Sequence, residues 1–399
     1  MDEADAMAAC MGFASFGKRK RSPTRERAAS KVRAPSYVPD TIDYLASSEA
    51  SAVDMVLDVS LATTESFMPR LAQALEKLLE RKTSLENLAI SPATYRRCRG
   101  RANPYEHLGK FTFVNRSAIK MAELNARCGL TSTSTKSFAD LCGAPGGFSE
   151  YLVYCTESAR GYGISIRPDA DDDPLHWRLD DATQARLDVS YGADGTGDLY
   201  VEANMDRFVE TALHENPQGL DLVVADGGFQ EARNHVHQEH IMHHLVLCEV
   251  LTMTRLLRTG GHFVCKTFEL STPFSLGLLY LLYRTFTQLA IVKPITSRPG
   301  SSERYIVGLG WKTYQPKALI AHLGAANHAF ASGVDVVGLV ASSQWRADTT
   351  FLDYVEASGV TFASRQILAL DDILATIQGH APRVPRVHVA DVYATWQLR

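Results

Sequence analysis

The sequence predicts an α/β protein built on a doubly wound, mostly parallel sheet. Between residues 136 and 311, strand-like apolar runs alternate with helical patterns, which is typical of successive βαβ units. The last two predicted strands follow each other without a helix between them, so one of them should run antiparallel at or near the sheet edge. We therefore expect one open sheet with a single antiparallel strand, flanked by N-terminal and C-terminal extensions.

Each predicted strand is a short apolar run. Long helical patterns at 237–257 and 274–287 separate the later strands, because their apolar residues recur at helical spacing. The predicted strands are 138–141, 161–166, 221–225, 261–266, 289–294 and 303–309.

The sheet-forming domain, residues 96–311, lies between segments of different character. Residues 37–95 carry helical apolar spacing and strong helix formers, which predicts a helical N-terminal extension. Residues 312–399 contain a helix candidate at 367–378 and form a C-terminal extension whose role the sequence leaves open. Residues 1–36 are rich in Ala, Ser, Lys and Arg, which predicts a disordered basic tail.

Composition excludes several classes of protein. Of the 399 residues, 45% are hydrophobic, which is enough for a sizeable core. The seven cysteines form no CxxC pair and are odd in number, which argues against a disulfide framework or a zinc knuckle and indicates a reducing compartment. No apolar run reaches the roughly 18–20 residues of a membrane span. We expect a soluble intracellular protein with no membrane partner.

The tail contains a basic run, GKRKRSPTRER, at residues 17–27. Such a run is a nuclear import signal, a loose nucleic-acid-binding arm, or only a solvated tail. We expect residues 18–27 to favour a nuclear location, with the cytoplasm as a second one.

A glycine turn follows the first predicted strand, in the stretch DLCGAPGGF. Gly143, Gly146 and Gly147 remove side chains that would keep a ligand away from the backbone, and Pro145 stiffens the turn. The helix that follows Phe148 directs its N-terminal amides at the same place. The stretch matches neither GxxxxGK[ST] nor GxGxxG, so a triphosphate or a dinucleotide is not the expected ligand.

Two aspartates near the turn are candidate ligand contacts. Asp140, at the end of the strand, could receive the ammonium of an amino-acid moiety, and Asp198 could bind a ribose or an adenine edge. S-adenosylmethionine needs contacts of both kinds. Taken singly, each acid is more typical of a turn residue that bonds its own backbone.

Charged residues also stand at the ends of other predicted elements. Asp226 and Lys266 end two strands, Lys120 lies on a helix with apolar neighbours, and Glu303 opens the final strand. An unpaired lysine at the end of a central strand would be costly to desolvate, so it must be paired. Ligands bind at the carboxyl ends of strands in open α/β sheets, where Asp140, Asp226 and Lys266 would gather. A purely structural ion-pair network is the alternative.

Two further clusters stay open. The arginine-rich stretch YRRCRGRANPY, residues 95–105, is a phosphate-contacting loop for RNA or a solvated turn. The histidine run HVHQEHIMHH, residues 235–244, is a metal site, an RNA or lid contact, or the start of a helix.

Four stretches in order carry a family resemblance: DLCGAPGGFSEYL, ADGGF, CKTFELSTPFSLGLLYLLY and KPITSRPGSSERYIV. They resemble the FtsJ-type (RrmJ-type) RNA ribose 2′-O-methyltransferases, and among these the eukaryotic enzymes of mRNA caps. The resemblance covers residues 103–311. It implies a Rossmann-like, class I S-adenosylmethionine-dependent methyltransferase fold. It also implies S-adenosylmethionine as methyl donor, S-adenosylhomocysteine as product, and no metal.

The resemblance also implies roles for individual residues. The family's Lys-Asp-Lys-Glu tetrad falls on Lys120, Asp226, Lys266 and Glu303. RNA contacts fall on Arg99, Arg101 and Ser301, although Ser301 replaces a larger polar residue. The turn also departs from close relatives in the two residues that follow its cysteine. The implied cofactor contacts are Asn115, Asp140, Cys142, Gly143, Ala144, Pro145, Gly146, Gly147, Phe148 and Asp198.

The implied activity is methylation of the ribose 2′-hydroxyl of the first transcribed nucleotide of m7G-capped mRNA, with Lys266 as base. The implied partners are the capped mRNA 5′ end and the capping or transcription machinery. The alternatives are methylation of the second nucleotide or of ribosomal or transfer RNA, and a catalytically silent RNA-binding scaffold. A small-molecule methyltransferase or a dehydrogenase would leave the basic segment and the two lysines without a purpose.

Overall fold

The fold was analysed in a computed structural model, which describes residues 41–47, 53–59, 67–170, 173, 175–228, 238–380 and 386–398. The predicted basic tail and part of the histidine run lie outside the described residues.

An eight-stranded sheet forms the centre of the molecule, in the order β1-β7-β8-β6-β5-β2-β3-β4. Strands β6, β5, β2, β3 and β4 are parallel, and β8 runs antiparallel between β6 and β7. The strands are β1 (Leu45–Ala46), β2 (Ser137–Leu141), β3 (Arg160–Ile164), β4 (Leu187–Ser190), β5 (Leu220–Ala225), β6 (Leu257–Thr267), β7 (Phe286–Val292) and β8 (Arg304–Trp311).

The sequence-based prediction of the sheet is confirmed in its main points. All six predicted strands are present, and one of the last two, β8, runs antiparallel, two positions inside the edge that β1 forms. Two strands were not predicted. β4 (LDVS) offers only two apolar residues, and β1 has only two residues in all, paired antiparallel with β7.

Helices cover both faces of the sheet. Alternate residues of one strand point to opposite faces, so β5 places Leu222 and Val224 against one helical layer and Val223 and Ala225 against the other. The helices are α1 (Pro69–Glu86), α2 (Pro92–Ala102), α3 (Ser117–Cys128), α4 (Gly147–Cys155), α5 (Asp181–Gln184), α6 (Glu202–Glu215), α7 (Gln238–Ile241), α8 (His243–Leu256), α9 (Pro273–Thr285), α10 (Lys317–Ala331), α11 (Ser342–Ala347), α12 (Thr349–Ile377) and α13 (Val389–Thr395). None of the helices in the described part of the chain is long and apolar enough to cross a membrane.

Local signals explain where the helices begin. Thr272 caps α9 by accepting a hydrogen bond from the Ser275 amide, and Pro273 occupies the first turn. The predicted helix at 274–287 is therefore confirmed with its start one residue earlier. The helix predicted at 237–257 is interrupted at Met242, which separates α7 from α8.

The two extensions pack against each other. Leu71 of α1 lies against Gly359 of α12, and a second apolar cluster joins Leu78 and Leu85 to Leu370 of the same helix. The helix candidate at 367–378 is thus the last third of a 29-residue helix. Helices from opposite ends of the described chain form one layer beside the sheet.

A loop glycine lies where the segments that follow β3 and β4 come into close contact. Gly197 has φ +71°, and a Cβ there would lie 1.9 Å from the carbonyl oxygen of Ser165. Gly195, two residues earlier, has φ +81° with no atom within 4 Å of an added Cβ. The two positions share a left-handed backbone and differ only in free space.

We expect Gly197→Ala to destabilise the fold by about 3 kcal/mol or more, because strain and a backbone clash add. Gly195→Ala should cost only about 1 kcal/mol, from the left-handed backbone alone. Urea unfolding of both variants measures the difference. Equal losses would contradict the role of the Ser165 contact.

Candidate active site

Four charged side chains from distant parts of the chain meet at the carboxyl ends of the central strands. Asp226 directly follows β5, and Lys266 is the penultimate residue of β6. Lys120 lies on α3. Glu303 directly precedes β8, and because β8 runs antiparallel, its beginning lies at the same edge as the ends of its neighbours. The predicted set is therefore brought together.

Lys120 bridges the two carboxylates. Its Nζ lies 3.0 and 3.2 Å from the two Asp226 oxygens, and 3.4 Å from both oxygens of Glu303. Burial disfavours the charge of this lysine, but the two carboxylates outweigh burial and raise the pKa of Lys120 above its ordinary value. Lys120 is therefore held as an ammonium ion.

Asp226 is the common partner of both lysines. Lys266 Nζ donates to the main-chain oxygen of Asp226 at 2.7 Å and lies 3.4 Å from its Oδ1. The Ser117 hydroxyl donates to Oδ2 at 2.9 Å. Burial opposes ionisation of Asp226, but Lys120 and Lys266 lower its pKa well below the usual range.

Tyr305 belongs to the site, and sequence reasoning missed it. Its hydroxyl donates to Asp226 Oδ1 at 2.7 Å and lies 2.7 Å from Lys120 Nζ. One signal was available in the sequence: Tyr305 stands two residues after Glu303 on an extended chain, which places both on one face. The structure adds that the register partner of Tyr305 is Lys266. Ser117, by contrast, gave no sequence signal.

The glycine turn lies beside this cluster. A Cβ at Gly143 would meet Asp140 Cγ at 2.5 Å, and one at Gly147 would meet Asn115 Oδ1 at 2.1 Å. These glycines are therefore required by close approach of the protein to itself. Phe148, at the start of α4, packs at 6.3 Å from the Tyr305 ring and joins the turn to the charged cluster.

Asp140 is completely buried under the turn. Its Oδ2 accepts hydrogen bonds from the amide and the hydroxyl of Ser149, at 3.0 and 2.6 Å. Its Oδ1 has no hydrogen-bond partner within the described residues. Burial raises the pKa of Asp140 to about 7, and the nearby Asp226 charge contributes. One buried acceptor is thus left over, which fits an ammonium group placed at this turn.

Asp198 lines an open groove of about 400 Å³ at the ends of β3 and β4. Its Oδ1 accepts a hydrogen bond from the Tyr200 amide at 2.9 Å, so it also acts as a turn residue. The other groove residues are Ile166, Arg167, Pro168, Asp169, Gly195 and Thr196. A groove with an acid and an apolar wall fits a nucleoside.

The basic segment at 95–105 was interpreted as a loop, and this was wrong. Residues 92–102 form α2, because Ser91 caps it by accepting from the Thr94 amide and Pro92 occupies the first turn. Arg101 is exposed in the last turn of α2. Arg99 lies over the Tyr95 ring at 5.8 Å.

Arginines converge beside the charged cluster. Glu106 binds Arg116 at 2.8 Å and Arg298 at 3.7 Å. Burial, with the neighbouring Arg99 charge, lowers the pKa of Arg298 to about 10. Ser301 lies in the following turn, where its hydroxyl donates to the Arg298 carbonyl at 2.9 Å. One carboxylate therefore serves several guanidinium groups, which leaves positive potential next to the cluster.

Of the described histidines of the run at 235–244, His243 and His244 are engaged in packing, whereas His240 is exposed and lies 3.7 Å from Asp335 Oδ2. His243 bonds Thr272 Oγ1 at 3.0 Å, and burial lowers its pKa to about 3. His244 bonds Asn327 Oδ1 at 2.7 Å and stacks on Tyr200. Across the described residues, no group of three or more metal-ligating side chains converges. His235 and His237 lie outside them.

A mostly parallel α/β sheet with a glycine turn after its first long strand, and an acid-lined groove beside it, defines a Rossmann-like methyltransferase fold. Residues 113–311 match the FtsJ-like methyltransferase family, and the chain belongs to this family.

Curated relatives agree with that assignment. The chain is similar to Cap-specific mRNA (nucleoside-2′-O-)-methyltransferase 1 of Drosophila melanogaster, with 34% identity over 76% of this chain and 41% of the relative. The Homo sapiens protein of the same name is 36% identical over 73% of this chain and 38% of the relative. The Danio rerio protein is 35% identical over 76% of this chain and 39% of the relative. The chain thus spans about two fifths of the length of these relatives.

Glu249 is a further buried acid that sequence reasoning missed. It is 0% exposed, and its Oε2 accepts from the Cys265 thiol at 3.3 Å. Its Oε1 lies against Gly227, where a Cβ would come within 2.2 Å. Burial raises the pKa of Glu249 to about 7. This carboxyl therefore packs directly behind the Asp226 segment.

We expect Glu249→Gln to remove a pH dependence of stability. A carboxyl that binds its proton more tightly when folded stabilises the fold below pH 4.5, and loses this contribution as the pH rises to about 7. Between these two pH values the free energy of unfolding of the variant should therefore rise relative to that of the wild type, by up to about 3 kcal/mol. Urea unfolding at pH 4.5, 6 and 8 measures this. A constant difference would contradict burial of a protonated Glu249.

Proposed function

We propose that this protein transfers a methyl group from S-adenosylmethionine to the ribose 2′-hydroxyl of the first transcribed nucleotide of m7G-capped mRNA. The observation that carries the proposal is the convergence of Lys120, Asp226, Lys266 and Glu303 into one half-enclosed cluster beside the glycine turn. Membership of the FtsJ-like family and similarity to cap-specific methyltransferases support it.

The chemistry needs a base, because a ribose hydroxyl is a poor nucleophile at neutral pH. In this proposal Lys266 accepts the 2′-hydroxyl proton as the oxygen forms its bond to the methyl carbon. The bond from that carbon to the sulfonium sulfur would break, and S-adenosylhomocysteine would leave with the electron pair. S-adenosylmethionine supplies an activated methyl group on a sulfonium centre when bound. The Asp226 main-chain oxygen, 2.7 Å from Lys266 Nζ, fixes the position of the amine.

The donor would lie along the turn and the groove. Asp140 Oδ1 suits the ammonium of the methionine moiety, and Asp198 suits the ribose or adenine edge. Asn115 would bind near the turn, since its Oδ1 lies against Gly147. The backbone from Cys142 to Phe148 would lie under the methionine moiety. The proposed reaction requires no metal.

RNA would approach from the arginine side. Arg99, Arg101 and Ser301 are the proposed contacts, and the positive potential around Glu106 favours a phosphate backbone there. The proposed partners are the capped mRNA 5′ end and the capping or transcription machinery. A nuclear location, proposed from the basic run at 18–27, would place the protein where capping occurs.

Label transfer tests the function. We expect radiolabelled methyl from S-adenosylmethionine to enter RNA with an m7G cap, and mapping should place it on the first transcribed ribose. Uncapped RNA of the same sequence should accept at least about tenfold less label, given the contacts that a cap adds. Equal labelling of both RNAs, or label on the second nucleotide, would contradict the cap-1 assignment.

We expect Lys266→Ala to lower turnover on capped RNA by about 10³-fold or more, because the base is lost. Donor binding should stay, since Lys266 lies outside the turn and the groove. Lys317→Ala, on the exposed start of α10, serves as control and should be fully active. Rapid methyl transfer by the Lys266 variant would refute its role as base.

A further inference from the structure

The four residues before β8 are held by side chains rather than by a neighbouring strand. The Gly300 carbonyl accepts from Gln366 Nε2 at 3.1 Å. Lys293 Nζ donates to the carbonyls of Ser301 and Glu303, at 2.7 Å each. Every one of these bonds fixes the main chain that carries Glu303.

Ser302 is tied down in the same way. Its carbonyl accepts from Arg304 Nε at 3.3 Å. Its hydroxyl lies 3.1 Å from Lys82 Nζ and 3.2 Å from Gln366 Nε2. Ser302 is 3% exposed and Gln366 is 1% exposed, so these bonds are shielded from water. The segment 300–303 is therefore clamped along its whole length.

Two of the clamping residues come from outside the part of the chain that matches the family. Lys82 lies on α1 and Gln366 on α12, whereas the family match covers residues 113–311. The two helices pack against each other, so the two side chains reach the segment from one rigid layer. The extensions thus contact the segment that carries the fourth member of the charged cluster, at the Gly300 carbonyl and the Ser302 hydroxyl.

Glu269 fixes the Lys82 head group. Its Oε1 lies 3.3 Å from Lys82 Nζ, and its main-chain oxygen accepts from Arg304 at 3.4 Å. Burial opposes ionisation of Glu269, but Lys82 and Arg304 outweigh it and lower its pKa. Phe362 of α12 packs on the Arg304 guanidinium at 5.1 Å. A charged, mostly enclosed network therefore connects α1, α12 and the segment.

We propose that Lys82 and Gln366 are positioning residues for Glu303, and that the packed extensions exist in part to hold segment 300–303 in place. The inference rests on the proposed function, since it gives Glu303 a role in methyl transfer. Glu303 meets Lys120 at 3.4 Å through both oxygens, at the long end of ion-pair distances. A small shift of the segment breaks this contact, and misplacement of about 1 Å is enough to slow catalysis strongly.

Two test variants, one conservative variant and one matched control test the proposal. Lys82→Met and Gln366→Leu remove the donors while keeping the side-chain volume similar. Lys82→Arg keeps a donor at the same place. Arg81→Met is the control, because Arg81 adjoins Lys82 on α1 and joins the same two helices through Asp371 at 2.9 Å.

Amide hydrogen exchange measures the protection of segment 300–303 directly, and the measurement does not depend on enzymatic activity. We expect the amides of residues 300–304 to exchange about tenfold faster in Lys82→Met and in Gln366→Leu, with the amides of β3 unchanged. Arg81→Met should match the wild type, and Lys82→Arg should restore most of the protection. Unchanged exchange in both test variants overturns the proposal, whatever their activity.

Turnover then separates positioning from mere stability. We expect kcat on capped RNA to fall about tenfold in each test variant, with the KM for S-adenosylmethionine within twofold of wild type, and Lys82→Arg to recover most of kcat. Faster exchange with unchanged kcat overturns the positioning role. An inactive wild type with faster exchange in the variants refutes the proposed function and leaves the clamp supported.

Discussion

A buried carboxylate between two lysines is the constraint on which the site depends. Asp226 is bonded by the Nζ atoms of two lysines, a phenol and a serine hydroxyl. With Glu303 included, Lys120 bridges both carboxylates, so neither carboxylate is enclosed without a partner. Each member lies on a different element, so the placement of β5, β6, β8 and α3 must be accurate at once.

The antiparallel strand makes this arrangement possible. In an all-parallel sheet, the residue before a strand lies at the far edge from the residue after its neighbour. Because β8 runs the other way between β6 and β7, Glu303 arrives beside Asp226, and Tyr305 stands opposite Lys266. Phe148 then packs on Tyr305, which couples the turn to the charges. One reversal of direction thus joins the ligand-facing loop to the ionic cluster.

Much of this could be predicted from local pattern. The apolar runs of β5 and β6 mark central strands, and Asp226 and Lys266 follow from where those runs end. The errors have physical causes. Clustered arginines, an adjoining aromatic residue and an Asn-Pro break suggested a loop at 95–105, but the helix start at Ser91 and Pro92 outweighed them. Glu249, Lys82 and Gln366 lie in helical patterns that carry no mark of their distant partners, since only the packing of helices on loops creates those contacts.

The residues around Glu303 come from widely separated parts of the chain, which has a consequence for translation. Residues from 82 to 366 contribute to the surroundings of Glu303, and the sheet receives its antiparallel member only after β7 has been made. A nascent chain that has emerged as far as α9 carries Lys120, Asp226 and Lys266 but does not yet carry Glu303. Translation must therefore reach Glu303, near the end of the family-matching segment, before the four-residue set exists, and a stalled or truncated product short of α12 has that set without the support of Gln366.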